Sequence, residues 1–178
     1  MRAIKILLFL AIAVFIASHF VSFNSAAKNI ATVFKSNIKK SEYADVIRVV
    51  DGDTVDILVN GKEDRVRLLG INAPETVDPR RPVECFGLEA SEKLKELLNN
   101  KEVLLKSDSI QANRDKYERL LRYVYLGDGT LINQIMIEQG YAYEYTYDVP
   151  YKFQKEFRQS ETSARTNKFG LWADGICQ

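Results

Sequence analysis

Beyond residue 44 apolar and polar positions alternate in short runs, then switch to three- and four-residue spacing in longer ones. The runs Val46-Ile47-Arg48-Val49-Val50 and Val55-Asp56-Ile57-Leu58-Val59 read as strands, and the Asp51-Gly52 between them is a hairpin signal. This predicts strands over 45–50 and 54–59, and a third over 64–71 joined through the turn Asn60-Gly61. Pro74 stops the third strand, because proline cannot donate to a ladder. Leu94, Leu97 and Leu98 share one face of a helix expected over 88–99. Two more strands follow at 102–106 and 120–126, separated by a polar stretch at 107–116 that lacks periodicity and reads as a mobile loop. A second helix over 131–139 buries Ile132, Ile135 and Met136 and is capped by Gly140. A third over 149–168 turns Phe153 and Phe157 inward and stops at Gly170. Five short strands with three helices make the fold class α+β.

The first residues follow a different pattern. Arg2 and Lys5 precede an unbroken apolar run from Ile6 to Ala17, and Ser25-Ala26-Ala27 offers small residues suited to cleavage. Twelve apolar residues fit a signal h-region better than a membrane span of roughly 20. Phe20, Val21 and Phe23 could extend the run, so residues 1–27 read as a cleaved signal peptide or as a retained membrane anchor. Either way the chain is exported, to be secreted or held at the outer face of the membrane. Residues 28–41, with Lys28, Lys35, Lys39 and Lys40, form a basic linker, and residues 42–178 are long enough for one domain.

Charge changes the picture. The formal net charge is +1, but the first 41 residues hold six of the 25 bases and no acid. The remainder carries 19 bases against 24 acids, a net −5, so it has no global basic field to attract nucleic acid. Phosphate has to be met locally. The only histidine is His19, inside the targeting segment, which excludes histidine catalysis in the domain.

The candidate chemistry lies at the strand ends. Asp51-Gly52-Asp53-Thr54 and Arg67-Leu68-Leu69-Gly70-Ile71-Asn72-Ala73-Pro74-Glu75 group hard oxygen donors with a guanidinium, a combination suited to a divalent cation and a phosphodiester. Either segment alone could be an ordinary turn or loop. Their order, joined to Phe86-Gly87-Leu88-Glu89-Ala90-Ser91, Asp115-Lys116-Tyr117-Glu118-Arg119 and Gly170-Leu171-Trp172, resembles the staphylococcal (thermonuclease-type) nuclease family. The resemblance covers residues 43–172. It implies a five-stranded barrel of the OB-fold type with three helices, and a calcium-dependent phosphodiesterase acting on DNA and RNA.

Carried over residue by residue, the resemblance makes Asp53 the direct carboxylate ligand of calcium, with Asp51 acting through water. Asn72 stands where the characterised family enzyme has aspartate, and Ala73, whose backbone carbonyl is a further ligand, stands where it has threonine. An amide still coordinates calcium but removes one negative charge, so weaker metal binding is expected. Glu75 matches the general base or water-positioning residue, and Arg67 and Arg119 match the two phosphate-clamping arginines. Lys116 and Tyr117 match residues that bind a terminal phosphate.

Tyr141, Tyr143, Tyr145 and Tyr147 follow at two-residue spacing, as stacking platforms for bases or as a strand-like segment with aromatic packing. The family's stacking tyrosine falls between Tyr145 and Tyr147. Cys85 and Cys177 are the only cysteines; an even pair in an exported chain predicts a disulfide, with two free thiols as the alternative. The leading expectation is an exported calcium-dependent nuclease, single-stranded substrate preferred, giving 3′-phosphorylated products. A binding module of the same fold with a weakened site is the alternative, and Asn72 is the one feature in its favour. A membrane-anchored structural protein would explain the N-terminus and nothing else.

Overall fold

The computed structural model describes residues 41–177; the signal or anchor segment and the linker through residue 40 lie outside the described residues. In chain order the elements are β1 (Ser41–Asp51), β2 (Thr54–Val59), β3 (Lys62–Leu68), β4 (Ile71–Asn72), α1 (Gly87–Leu98), β5 (Glu102–Lys106), β6 (Leu120–Tyr125), α2 (Ile132–Glu138), β7 (Tyr143–Glu144) and α3 (Gln154–Thr166), then a 3₁₀ turn Gly170–Trp172. Five strands close a barrel in the order β1-β2-β3-β6-β5, with β5 returning to pair with β1. All its pairings are antiparallel except β3 with β6, where Val66 lies opposite Leu120 and Leu68 opposite Arg122. A closed barrel of this kind leaves no free sheet edge. The α+β class and the OB-type barrel with three helices are what the chain forms.

The interior follows the two-residue period. Val55 and Ile57 on β2, Val66 and Leu68 on β3, and Val103 and Leu105 on β5 are all buried. Each such side chain contributes about 1.5–3 kcal/mol relative to exposure. On β1 the period holds from Ala44 to Val46 and then breaks, the next buried position being Val49, because the pairing with β2 is irregular between Val46 and Arg48 and again between Val49 and Asp51. Such bulges bend a strand and re-aim its side chains, here setting Asp51 at the rim. Helix α1 buries Ala90, Leu94 and Leu98, with Leu97 only half-buried. Helix α2 buries Ile132, Asn133, Met136 and Ile137, so its inward face is turned slightly from the expected one. Asn133 is the polar member: its Nδ2 donates to Leu69 O at 2.9 Å and its Oδ1 accepts Val124 N at 2.9 Å, tying α2 to the β3–β6 closure.

Three elements differ from expectation. The strand expected over 64–71 is two, because Gly70 adopts φ +80° and turns the chain out of β3 into β4, which pairs with β7. A side chain there would also meet the Tyr151 ring at 2.6 Å. The third helix starts at Gln154, not at residue 149. Residues before it are drawn into other bonds: the Tyr151 hydroxyl donates toward Gly70 O at 3.1 Å, and Lys152 N donates to Asp108 Oδ2 at 2.8 Å. The stretch 107–116 is irregular, yet it is fastened. Asp108 is buried and also accepts from the Tyr123 hydroxyl at 2.6 Å and Ile110 N at 2.8 Å, while Arg122 donates to Asn113 O at 3.2 Å and Oδ1 at 2.8 Å. No periodicity argument sees such polar anchors. Cys85 and Cys177 are joined by a disulfide, their Cα atoms 5.7 Å apart.

Candidate active site

The hairpin between β1 and β2 carries the first two carboxylates, and its position is set by size. A Cβ on Gly52 would lie 2.6 Å from the Ala73 methyl and 2.9 Å from that of Ala90, so only glycine lets the turn sit this close to α1 and to the end of β4. Asp53, only 5% exposed, accepts from Thr54 Oγ1 at 3.0 Å through Oδ1 and from Ala73 N at 2.8 Å through Oδ2. Its own N–H donates to Asp51 Oδ1 at 3.1 Å. Burial, and then the neighbouring Asp53 carboxylate, push Asp51 up to about 7. Two crowded acids of this kind favour a cation between them.

Arg67 reaches the same turn from the end of β3. Its Nη2 lies 2.8 Å from Asp53 Oδ2 and donates to Asn72 Oδ1 at 3.0 Å. Its Nη1 donates to the carbonyls of Leu68 at 3.0 Å and Ile71 at 2.8 Å. One guanidinium therefore holds the β3 exit, β4 and the acidic turn in a fixed arrangement, while its Nε has no hydrogen bond among the described residues.

Glu75 lies just past Pro74, in a loop closed by its own ends. Glu84 N donates to Glu75 O at 2.8 Å and Glu75 N donates to Glu84 Oε2 at 3.0 Å. Within that loop Glu75 Oε1 accepts the N–H groups of Thr76, Val77 and Asp78 at 2.8, 2.7 and 3.2 Å. Its Oε2 faces Arg81 Nη2 at 3.8 Å, beyond hydrogen-bond reach. The backbone thus fixes one oxygen and leaves the other available.

Arg119 arrives at the foot of β6. Its Nε donates to Asp115 Oδ2 at 2.7 Å and its guanidinium lies 5.3 Å from the Tyr117 ring centre, while both Nη groups have no hydrogen bond among the described residues. Burial works against the charged form of Asp115, but the Arg119 guanidinium and the N–H groups of Arg119 and Tyr117 outweigh it and hold the carboxyl below the usual range.

These groups share one open cleft of about 1060 Å³, lined by Asp51, Asp53, Arg67, Asn72, Ala73, Glu75, Tyr117 and Arg119 among others. Lys116, Tyr145 and Tyr147 do not line it. Lys116 lies 5.1 Å from the Tyr117 ring centre. The four tyrosines divide: Tyr141 packs on Phe86 and Tyr143 on Trp172, whereas Tyr145 and Tyr147 stand exposed with ring centres 6.3 Å apart. Aromatic packing accounts for Tyr141 and Tyr143, and leaves Tyr145 and Tyr147 as exposed rings. The cleft also contains Arg48, Arg65, Arg80 and Arg81, which the motifs had passed over. Alternation along β3 was a usable signal for one of them, since Arg65 and Arg67 are two residues apart and share a face.

Residues 65–174, more than half of the chain, match the family described as staphylococcal nuclease homologue. The chain belongs to the staphylococcal nuclease family. It is 35% identical over 157 residues to Endonuclease YncB of Bacillus subtilis, an alignment covering 88% of this chain and 74% of that protein. It is 37% identical over 139 residues to the Thermonuclease of Staphylococcus hyicus, covering 78% and 80% respectively. A further Thermonuclease, from Staphylococcus intermedius, is 38% identical over 127 residues, 71% of this chain and 74% of that one. The family match takes in Arg67, Asn72, Glu75 and Arg119, while Asp51 and Asp53 precede it.

Proposed function

We propose that this family member is an exported nuclease that hydrolyses phosphodiester bonds of DNA and RNA with a bound calcium ion, preferring single strands. The observation that carries the reading is that Arg67 and Arg119, from distant parts of the chain, meet Glu75 and Asp53 in one solvent-open cleft. The relatives' printed names, endonuclease and thermonuclease, support it.

The donor set fits a hard divalent cation. Asp53, the Asn72 amide oxygen and the Ala73 carbonyl would hold it through oxygen, Asp51 would act through water, and a cation would relieve the crowding that raises Asp51. Among the described residues no group of three or more His, Cys, Asp or Glu side chains is placed to hold a metal, so a cation here would be held by this mixed oxygen set. When bound, calcium supplies charge neutralisation at the phosphate and orients the attacking water.

The chain's own residues do the rest. Arg119 offers two free Nη groups and Arg67 its Nε to the non-bridging phosphate oxygens, stabilising the charge of the pentavalent transition state. Glu75 Oε2 takes the proton of the attacking water while Oε1 stays clamped by three N–H groups. A new P–O bond forms from that water, the bond to the 5′-oxygen breaks, and the 5′-oxygen takes a proton from solvent. The phosphate stays on the 3′ side. Lys116 and Tyr117 serve a terminal phosphate, and the exposed Tyr145 and Tyr147 stack bases. The N-terminal segment directs export, with or without cleavage. One feature favours a second reading, a binding module with a weakened site: Asn72 in place of aspartate.

Digestion of single-stranded DNA by the full chain, with calcium and with excess chelator, separates them. Cleavage only with calcium supports the enzyme; binding without cleavage under both conditions supports the module; equal cleavage under both refutes the calcium role.

A further inference from the structure

Three side chains form a row across the outer face of the barrel, in the same cleft but outside the catalytic group. Arg48 on β1 lies opposite Asp56 on β2, and Asp56 lies opposite Arg65 on β3. Both arginines converge on the one carboxylate. Arg48 Nη2 and Nε reach Asp56 Oδ2 at 2.5 and 3.2 Å, while Arg65 Nε and Nη2 reach Oδ1 and Oδ2 at 2.6 and 3.2 Å. Two guanidiniums on one carboxylate leave a net charge of +1. Each keeps N–H donors that Asp56 does not use, and the side chains of Arg48 and Arg65 are 63% and 46% exposed.

We propose that Arg48 and Arg65 form a second phosphate-binding site, for a backbone phosphate of a nucleic-acid strand away from the bond being cut. It rests on the nucleic-acid substrate of the proposed function. Arg65 and Arg67 are two residues apart on β3, about 7 Å along the strand. Successive phosphates of one strand stand further apart than the axial repeat of about 3.4 Å per charge, so arginines about 7 Å apart can meet neighbouring phosphates of the same strand. The cleft lining as a whole holds more acids than arginines, so binding there rests on particular guanidiniums with unused donors rather than on an overall field. Asp56 is the internal competitor. It holds both guanidiniums in position in the free protein, and its charge opposes an incoming phosphate.

The test measures binding of a fluorescently labelled single-stranded 12-mer to the full chain in excess chelator, across a salt series. Arg48→Gln with Arg65→Gln should weaken binding several-fold and reduce the salt dependence, by up to about 0.7 in the log–log slope for each phosphate no longer neutralised. Asp56→Asn should tighten binding, because it frees both arginines. A merely structural ion-pair row predicts the reverse for Asp56→Asn, since that change breaks the row as surely as removing the arginines does. Unchanged affinity and slope in the double variant, or weaker binding in Asp56→Asn, overturns the proposal. Tight binding that depends on Arg48 and Arg65, in a protein that cuts no DNA when calcium is restored, would uphold this site and refute the hydrolytic reading.

Discussion

At the residue scale the two arginines proposed to clamp the phosphate are not equivalent, although one motif argument proposed both. Arg67 is 12% exposed and holds a buried carboxylate, whereas Arg119 binds Asp115 by Nε alone. Arg67→Ala, Arg119→Ala and Glu75→Ala should each lower kcat/KM on single-stranded DNA by roughly 10²-fold or more, non-additively, as expected for groups acting on one transition state. Thermal melting should then separate them. Arg67→Ala leaves Asp53 buried without its partner, a loss of about 3–5 kcal/mol, while Arg119→Ala should melt close to the parent. Near-parental activity in any of the three would remove that residue from the mechanism. Asn72→Asp restores a charge to the oxygen set and should tighten calcium binding measured by calorimetry; an affinity that falls or stays level means Asn72 is not a ligand.

At the element scale the most informative contacts are polar ones between segments far apart in sequence. Asp108 joins the 107–116 loop to β6 and to the approach to α3. Burial opposes its charge, but the Lys152 N–H, the Tyr123 hydroxyl and the Ile110 N–H outweigh it and hold the carboxyl below the usual range. A carboxyl lowered on folding contributes stability above its unfolded value of about 3.9 and loses it as pH falls through the folded one. Asp108→Asn should therefore lower the melting temperature at neutral pH, and the gap between variant and parent should shrink as pH falls below about 4. A gap independent of pH would mean that the carboxylate's charge is not what matters. Gly70→Ala meets both a positive φ and the Tyr151 ring, and should cost well over 1 kcal/mol in denaturant unfolding.

At the scale of the whole molecule the disulfide is the one covalent tie between distant segments, joining the approach to α1 to the C-terminal tail across a sequence separation of 92. Its removal should cost about 2–4 kcal/mol, the usual range for a native bridge. Cys85 directly follows Glu84, whose N–H and carboxylate close the loop carrying Glu75. Reduction is therefore expected to lower the melting temperature and to loosen the C-terminal tail, with the catalytic motifs kept in place by their own hydrogen bonds. Two alkylatable thiols in the unreduced protein, found by mass spectrometry, would show that the bond does not form.

The order of strands and helices, the α+β class and the hairpin carrying Asp51 and Asp53 were legible in the chain itself, because side-chain periodicity and turn chemistry are local. The resemblance carried by five motifs likewise named Arg67, Glu75 and Arg119 before any geometry was known. Three things were not legible: the break at Gly70, the start of α3 at Gln154 and the fastening of the polar loop. Each is decided by a partner some 40 to 80 residues away, Tyr151 for Gly70 and Asp108 for Lys152. The same holds for the site. Residue types and spacing could nominate its members, but only barrel closure, with β3 parallel to β6, sets Arg67 and Arg119 in one cleft and lays Arg48, Asp56 and Arg65 in a row beside them. Contacts between distant segments depend on the register of the closed sheet, and no local pattern in the chain encodes that register.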